Sequence, residues 1–351
     1  MDIKPYLDMM IKHDASDLFF TVGTQVKIKI QGAIRSVGDQ VLTEELARDA
    51  VDSIMNEQQR QLFRDELEAD FAIAHEDRGR FRVNAFHQRG ACGMVLRYIK
   101  NDIPTIDQLN LPPVLAELIM HKRGIILMVG ATGSGKSTTL AAMLDHRNSN
   151  ATGHILTIED PVEFVHPHKK SIFNQREVGV DTLSYHRALK SALREAPDVV
   201  LIGEIRERET MEAAIEISGT GHLAVATLHA NNTSQALDRV INMFPSDLHK
   251  QLFMDLAINM RSIISQRLVR TVDGKRAAAI EILVNTPHIA DLILQGRVDE
   301  VKEAMAEIKE GGMQTFDTAL LDLYKAGRIT MEEALLNADS QANLEARINF
   351  G

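Results

Sequence analysis

The chain is poor in the features that mark a secreted protein or a nucleic-acid binder. It has one cysteine, Cys92, in 351 residues. A single cysteine forms no intramolecular disulfide and no cysteine-cluster zinc site, which suits a reducing compartment. Tryptophan is absent and tyrosine occurs only four times, so the stacking platforms of single-strand binders are scarce. The formal net charge is −10. That gives no overall basic field for DNA or an anionic membrane, although a local basic patch remains open. No apolar run approaches the ~20 residues that span a bilayer. The start, Met1-Asp-Ile-Lys-Pro-Tyr-Leu-Asp8, lacks the apolar centre of a signal peptide. A cytoplasmic protein is expected, without nucleic acid and without direct membrane insertion, reaching a membrane only through another protein.

The chain is ordinary in bulk: 44% apolar and 25% charged, with length for about two domains. Residues 2–12 have helical spacing, with Ile3, Leu7, Met10 and Ile11 on one face. Leu18–Val22 and Val26–Ile30 follow as strands, and Thr43 to Leu67 is helical by pattern with Thr43 as cap. Ala69–Ala74, Gly79–Phe86 and Gly93–Ile99 predict three antiparallel strands. This is a small α+β domain over residues 1–100. The polar, proline-containing stretch 101–108 is the linker candidate. Over 109–351 the pattern turns to strand–helix alternation, the mark of a mostly parallel α/β sheet. A hairpin is expected from Gln266 to Val284 around Asp273-Gly274, and helices occupy the remainder.

Within this second region Gly130-Ala-Thr-Gly-Ser-Gly-Lys-Ser137 follows the apolar run Ile125–Val129 and precedes the helical Thr138–Leu144. Strand, spacing and helix together make a phosphate-binding loop. Its glycines allow a nest of amide N–H groups, and the helix adds its positive dipole end. Gly130, Ala131, Thr132, Gly133, Ser134, Gly135, Lys136, Ser137 and Thr138 are the nucleotide-binding candidates. Lys136 is suited to reach the β and γ phosphates of ATP, and the Ser137 hydroxyl to ligate Mg²⁺.

Two acidic clusters lie downstream at strand ends: Glu159-Asp160-Pro-Val-Glu163 and Glu204-Ile-Arg206. Either is a solvated turn when taken alone. On the edge that carries a phosphate loop, such acids orient Mg²⁺ or polarise water. His222 and His229 sit seven apart in an apparent strand, so period two puts them on opposite faces and argues against a shared metal. Each is either a structural histidine or a γ-phosphate sensor. Arg80 and Arg82 share a strand face, with Phe81 and Val83 on the other, and Arg97 lies on a later strand. These arginines are either a solvated face or, in a ring-shaped NTPase, donors supplied in trans to the γ-phosphate.

Together the clusters resemble the type IV pilus motor ATPases of the secretion-ATPase superfamily, most of all the retraction, or twitching-motility, ATPases of the PilT/PilU kind. Ala15-Ser-Asp-Leu18, Arg80-Phe-Arg-Val-Asn-Ala-Phe86, the phosphate loop and Ile155-Leu-Thr-Ile-Glu-Asp-Pro-Val-Glu-Phe164 carry the resemblance. It continues through Asn174-Gln-Arg-Glu-Val178, Ser191–Glu195, Gly203-Glu-Ile-Arg206, Thr220-Gly-His-Leu223 and Thr227-Leu-His229. The resemblance implies a PAS-like first domain, a RecA-like ATPase domain, and a homohexamer with ATP between subunits. Lys136, Ser137 and Thr138 match its Walker A residues, and Glu204 its Walker B acid. Glu159, Asp160 and Glu163 match its aspartate box, with Glu163 assigned as catalytic base and Glu159 second. His222 and His229 match its histidine box. Arg80, Arg82 and Arg97 match arginines that reach a nucleotide. Implied partners are an inner-membrane pilus platform protein and a paralogous retraction ATPase.

Two departures separate this chain from the PilT kind. That group carries Ala-Ile-Arg-Asn-Leu-Ile-Arg-Glu near the C-terminus, whereas here His288-Ile-Ala-Asp-Leu-Ile-Leu-Gln-Gly-Arg297 lacks the central arginine. Ala196 stands where an acidic residue is usual. Both point to a PilU-type accessory ATPase. The rival classes are a RecA-like nucleic-acid motor, which the charge and aromatic content disfavour, and a nucleotide-gated scaffold without turnover, which the intact lysine and strand-end acids disfavour.

Overall fold

The computed structural model describes residues 1–350 apart from Gln31 and residues 76–78, 100–101 and 309–310. Internal contacts divide it into two units, Met1–Asp102 and Ile103–Gly351. Lys100 and Asn101, where the sequence puts the first domain's end and the linker's start, lie outside the described residues. Asp102 closes the first unit, the expected linker from Ile103 onward belongs to the second, and Ile106 is buried in the second unit's core.

The first unit runs α1 (Lys4–Lys12), β1 (Asp17–Phe20), β2 (Gln25–Ile30), β3 (Ala33–Val41), α2 (Glu44–Asp52), α3 (Glu57–Glu66), β4 (Glu68–His75), β5 (Gly79–Gln88) and β6 (Ala91–Ile99). Among the described residues its strands form an antiparallel sheet ordered β3-β2-β1-β6-β5-β4. The helices cover one face, where Leu7, Met10, Val51 and Phe63 pack on Leu18, Phe20, Phe81 and Leu96. The helical stretch expected over 43–67 is two helices. Asn56 accepts from the Gln59 N–H, and the Gln59 side chain accepts from the Asn56 N–H, a capping box that restarts the chain as α3.

The second unit runs α4 (Val114–Ile119), β7 (Gly124–Val129), α5 (Lys136–Asn150), β8 (Gly153–Glu159), β9 (Ser171–Glu177), α6 (Tyr185–Ala192), β10 (Val199–Ile202), α7 (Arg208–Gly219) and β11 (Leu223–Leu228). It continues through α8 (Thr233–Asn242), α9 (His249–Asn259), β12 (Met260–Arg270), β13 (Arg276–Val284), α10 (Pro287–Leu294), α11 (Val301–Glu307), α12 (Phe316–Lys325), α13 (Met331–Asn337) and α14 (Gln341–Phe350). Its sheet is ordered β13-β12-β7-β11-β10-β8-β9, parallel except for the β12–β13 hairpin. β7 is buried along its whole length. Ile125, Leu127 and Val129 face one core with α7–α9, while Ile126 and Met128 face another with α4 and α5. Each such fully buried side chain contributes roughly 1.5–3 kcal/mol. That packing holds the strand end, and so the phosphate loop, in place.

Candidate active site

Because β7, β8, β10 and β11 are parallel, their carboxyl ends meet on one edge of the sheet. The loop after β7 bends through Gly130, Gly133 and Gly135, all with positive φ. Space also demands glycine at two of these. A Cβ on Gly130 would lie 2.6 Å from both Ser134 Oγ and the Gln266 carbonyl, and one on Gly135 2.7 Å from Gln266 Nε2. α5 starts at Lys136 with no side-chain cap, which leaves its first N–H groups for a ligand. Lys136 Nζ donates to the carbonyls of Gly130 (2.8 Å) and Ala131 (2.9 Å).

Beside the loop is a cleft of about 310 Å³. Thr132, Gly133, Lys136 and Ser137 line it, together with Glu159, Glu163, Glu204 and His229. Gly130 and Ala131 face a second hollow, which His229 also lines. Ser134 is buried beneath the loop. Glu159, the last residue of β8, accepts from Thr157 Oγ1 (2.6 Å) and Gln175 Nε2 (3.2 Å). Burial pushes its carboxyl above the usual range against those bonds. Glu163 stands exposed at the mouth of the cleft. Glu204 follows β10, accepts from Arg206 Nε at 2.7 Å, and lies 3.0 Å from His229 Nε2. Burial lowers the Lys136 ammonium pKa, while the charges of Glu204 and then Glu163 oppose that shift. Both acids therefore act on the lysine electrostatically.

The structure separates the two histidines in a way the sequence reading did not anticipate. They flank β11 rather than lie within it. His229 follows its carboxyl end in the cleft. His222 precedes its amino end, where its carbonyl accepts from Gly124 N–H and its Nδ1 is 3.1 Å from Thr220 Oγ1. A six-residue strand spans roughly 20 Å, so His222 is at the edge away from the phosphate loop. Arg80, Arg82 and Arg97 belong to the first unit, on the sheet face opposite its helices. Arg97 Nε donates to Asp17 Oδ1 at 2.9 Å, and Arg82 Nη2 is 3.8 Å from Asp70.

Sequence reasoning missed Gln266, Tyr185 and His166. Gln266 is buried on β12, where Nε2 donates to the Ser134 carbonyl (2.8 Å) and Oε1 accepts from Thr139 Oγ1 (2.7 Å). Its signal is a polar residue inside an apolar strand, which becomes meaningful only once β12 is known to lie next to β7. Tyr185 lines the cleft. Burial, then the charges of Asp160, Glu159 and Glu204, keep its phenol protonated well above the usual range. His166 stacks on Phe173 with ring centres 4.1 Å apart, and burial pulls it down to about 4.

The family model described as "Type II/IV secretion system protein" matches residues 1–344. The type IV pilus ATPase PilU of Pseudomonas aeruginosa is 51% identical over 352 aligned positions, covering 100% of this chain and 92% of PilU. The type IV pilus retraction ATPase PilT of the same organism is 41% identical, covering 95% of this chain and 97% of PilT. A crystal structure of the pilus retraction motor PilT with bound ADP superposes with a TM-score of 0.93 at 39% identity, covering 98% of this chain and 99% of that one. The α/β fold, the phosphate loop with its strand-end acids, and these likenesses agree: the chain is an ATPase of the type II/IV secretion system protein family, in the group of type IV pilus retraction ATPases.

Proposed function

We propose that this ATPase drives retraction of type IV pili, and with it twitching motility, as an accessory motor of the PilU type. The observation that carries the reading is the meeting of Lys136, Glu159, Glu163, Glu204 and His229 around one cleft at the carboxyl edge of a parallel sheet. ATP phosphates seat on the loop N–H groups and on Lys136, which exchanges the Gly130 and Ala131 carbonyls for phosphate oxygens. Glu163, at the cleft mouth, takes the proton from the attacking water. Glu204 acts through its bonds to Arg206 and His229, and His229 senses the γ-phosphate.

No cluster of three or more metal-ligating side chains exists among the described residues. That suits Mg²⁺, which usually binds through few protein groups plus substrate phosphates. Ser137, in the cleft, is the residue to hold it, and when bound it offsets phosphate charge.

The working particle is a homohexamer in which Arg80, Arg82 or Arg97 of one subunit reaches a nucleotide on its neighbour. The PAS-like domain of residues 1–100 swings about the segment 101–108 relative to the ATPase domain over 109–351. The ring acts in the cytoplasm, held at the inner membrane by the pilus platform protein. The greater identity to PilU than to PilT, and the missing central arginine of 288–297, favour the accessory role beside a paralogue.

The test is twitching in strains that carry this gene with and without its paralogous retraction ATPase, using Lys136→Ala as the dead control. Motility that needs both genes, and is reduced by Lys136→Ala, is expected. Motility that does not respond to this gene in either strain refutes the function. Full twitching without the paralogue refutes only the accessory role.

A further inference from the structure

The first unit carries an arrangement of charges on its uncovered sheet face. Register sets Lys29 opposite Asp17, Asp17 opposite Arg97, and Arg97 opposite Arg82. Residues paired in this way share a face, so the four form one rung across β2, β1, β6 and β5, three cations to one carboxylate. Two like charges directly opposite, Arg97 and Arg82, destabilise a sheet unless something compensates them. Arg82 leans to Asp70.

The Asp17 side chain is only 7% exposed, and both its oxygens are engaged. Oδ1 accepts from Arg97 Nε at 2.9 Å, Oδ2 accepts from Ser16 Oγ at 2.9 Å, and Lys29 Nζ is 4.0 Å away. Arg97, by contrast, is 68% exposed. Among the described residues its guanidinium is gripped at the Nε edge alone. The outer edge, with Nη1 and Nη2, has no partner among the described residues, and Arg97 lines a hollow of about 220 Å³ together with Arg82, Asn84, Asp17 and Asp70. A guanidinium fixed at one edge and open at the other is a fork aimed at two oxygens of an incoming phosphate.

Resting on the role proposed above for Arg97, we infer that Asp17 is a positioning residue that holds the Arg97 guanidinium in its phosphate-facing pose. A free arginine side chain carries rotamer entropy, which must otherwise be lost at each turnover. A buried carboxylate removes that loss beforehand. It also gives a physical use to the Ala15-Ser-Asp-Leu18 segment: Ser16 steadies the carboxylate, Asp17 holds the arginine, and the buried Ala15 and Leu18 anchor the strand.

The test uses the full-length enzyme and steady-state ATP hydrolysis, with nucleotide affinity measured separately by titration. Asp17→Asn is expected to lower kcat by about 10-fold or more, because a misplacement near 1 Å can cost ~10²-fold. ATP affinity is expected to stay within about 2-fold. Adding Asp17→Asn to Arg97→Ala should cost nothing more, since two residues acting as one unit are not additive. Asp17→Glu keeps the charge while moving the carboxylate by about one bond length, ~1.5 Å, so it serves if Asp17→Asn melts at assay temperature. It should also turn over slowly while remaining folded. Wild-type kcat in a folded Asp17 variant, beside a slow Arg97→Ala, overturns the positioning role alone; so do losses that multiply in the double variant. Wild-type kcat in Arg97→Ala overturns the arginine reading itself.

Discussion

Gln266 offers a test of how the phosphate loop is held, because it touches the loop from behind and never faces the cleft. Replacing it with Ala strands two buried groups, the Ser134 carbonyl and the Thr139 hydroxyl, and opens space where the side chain was. A buried polar group left without a partner costs about 1–3 kcal/mol. The expected stability loss is therefore on the order of 2–6 kcal/mol. Part of it falls on the loop in its phosphate-ready form. If that part is ~1.4 kcal/mol, nucleotide affinity drops ~10-fold. Gln266→Leu separates the terms, since it fills most of the space and removes only the hydrogen bonds. Both variants are to be titrated with a fluorescent ADP analogue well below their melting temperatures, and melted with and without nucleotide. Weaker binding in both is expected. A lower melting temperature with affinity unchanged in both variants would make Gln266 an ordinary core residue and refute the reasoning.

Three further outcomes are expected. Glu163→Gln should keep ATP binding and lose ~10²–10⁴-fold in turnover, the range for a lost general base; normal turnover there beside a dead Glu159→Gln would move the base to Glu159. His166 makes stability depend on pH. Its folded-state pKa of about 4 lies below the ordinary 6.5, so its contribution is full above pH ~6.5 and is lost as pH falls towards 4, roughly 3 kcal/mol in all. His166→Phe keeps a ring on Phe173 and should flatten that part of the melting-temperature profile, whereas an unchanged slope rules the histidine out. Mixing Lys136→Ala subunits with Arg82→Ala subunits should restore activity that neither has alone if arginines act across an interface, by up to ~10³-fold or more for a trans arginine. Slow Arg82→Ala rings that mixing never rescues would assign the arginine to its own chain's nucleotide.

What the sequence revealed and what it hid follow one physical division. β7, β10 and β11 are legible because strands buried on both faces are continuous apolar runs, and the β12–β13 hairpin is legible from its Asp273-Gly274 turn. β3 and β9, both at sheet edges, went unread because their residues carry no strand pattern. β3 is exposed over nearly all its length, and in β9 the buried Phe173 follows an exposed Ile172. Neither shows the clean alternation of a half-buried strand. The site followed the same rule. Lys136, Glu159, Glu163, Glu204 and His229 line one cleft because their short motifs end strands, and parallel strands bring those ends together. Gln266 was hidden because its partners are 132 and 127 residues away in the chain. His222 falls at the other end of β11 from His229, because a motif gives spacing along the chain and leaves open which end of a strand each residue occupies.

β12 also explains how the cleft is tied to the rest of the second unit. Successive side chains on a strand point to opposite faces. Gln266 is thereby committed to the phosphate loop, while its neighbour Arg267 is committed to the other side. There Arg267 Nη2 donates to the Asn231 carbonyl at 3.2 Å and pairs with Asp339 at 2.7 Å, and Nη1 donates to the Asn337 carbonyl at 2.7 Å. The guanidinium lies 3.8 Å over the Phe316 ring. Asn231 is two residues beyond His229, whose imidazole meets Glu204 in the cleft. Ser265 Oγ also donates to the Asn231 carbonyl. Three consecutive residues of one strand thus join the phosphate loop, the histidine loop and the C-terminal helices. A shift of the His229 loop that carries Asn231 away from β12 must give up the bonds that Arg267 Nη2 and Ser265 Oγ donate to the Asn231 carbonyl. β12 is thus the element on which the phosphate loop, the histidine loop and the C-terminal helices are all fastened.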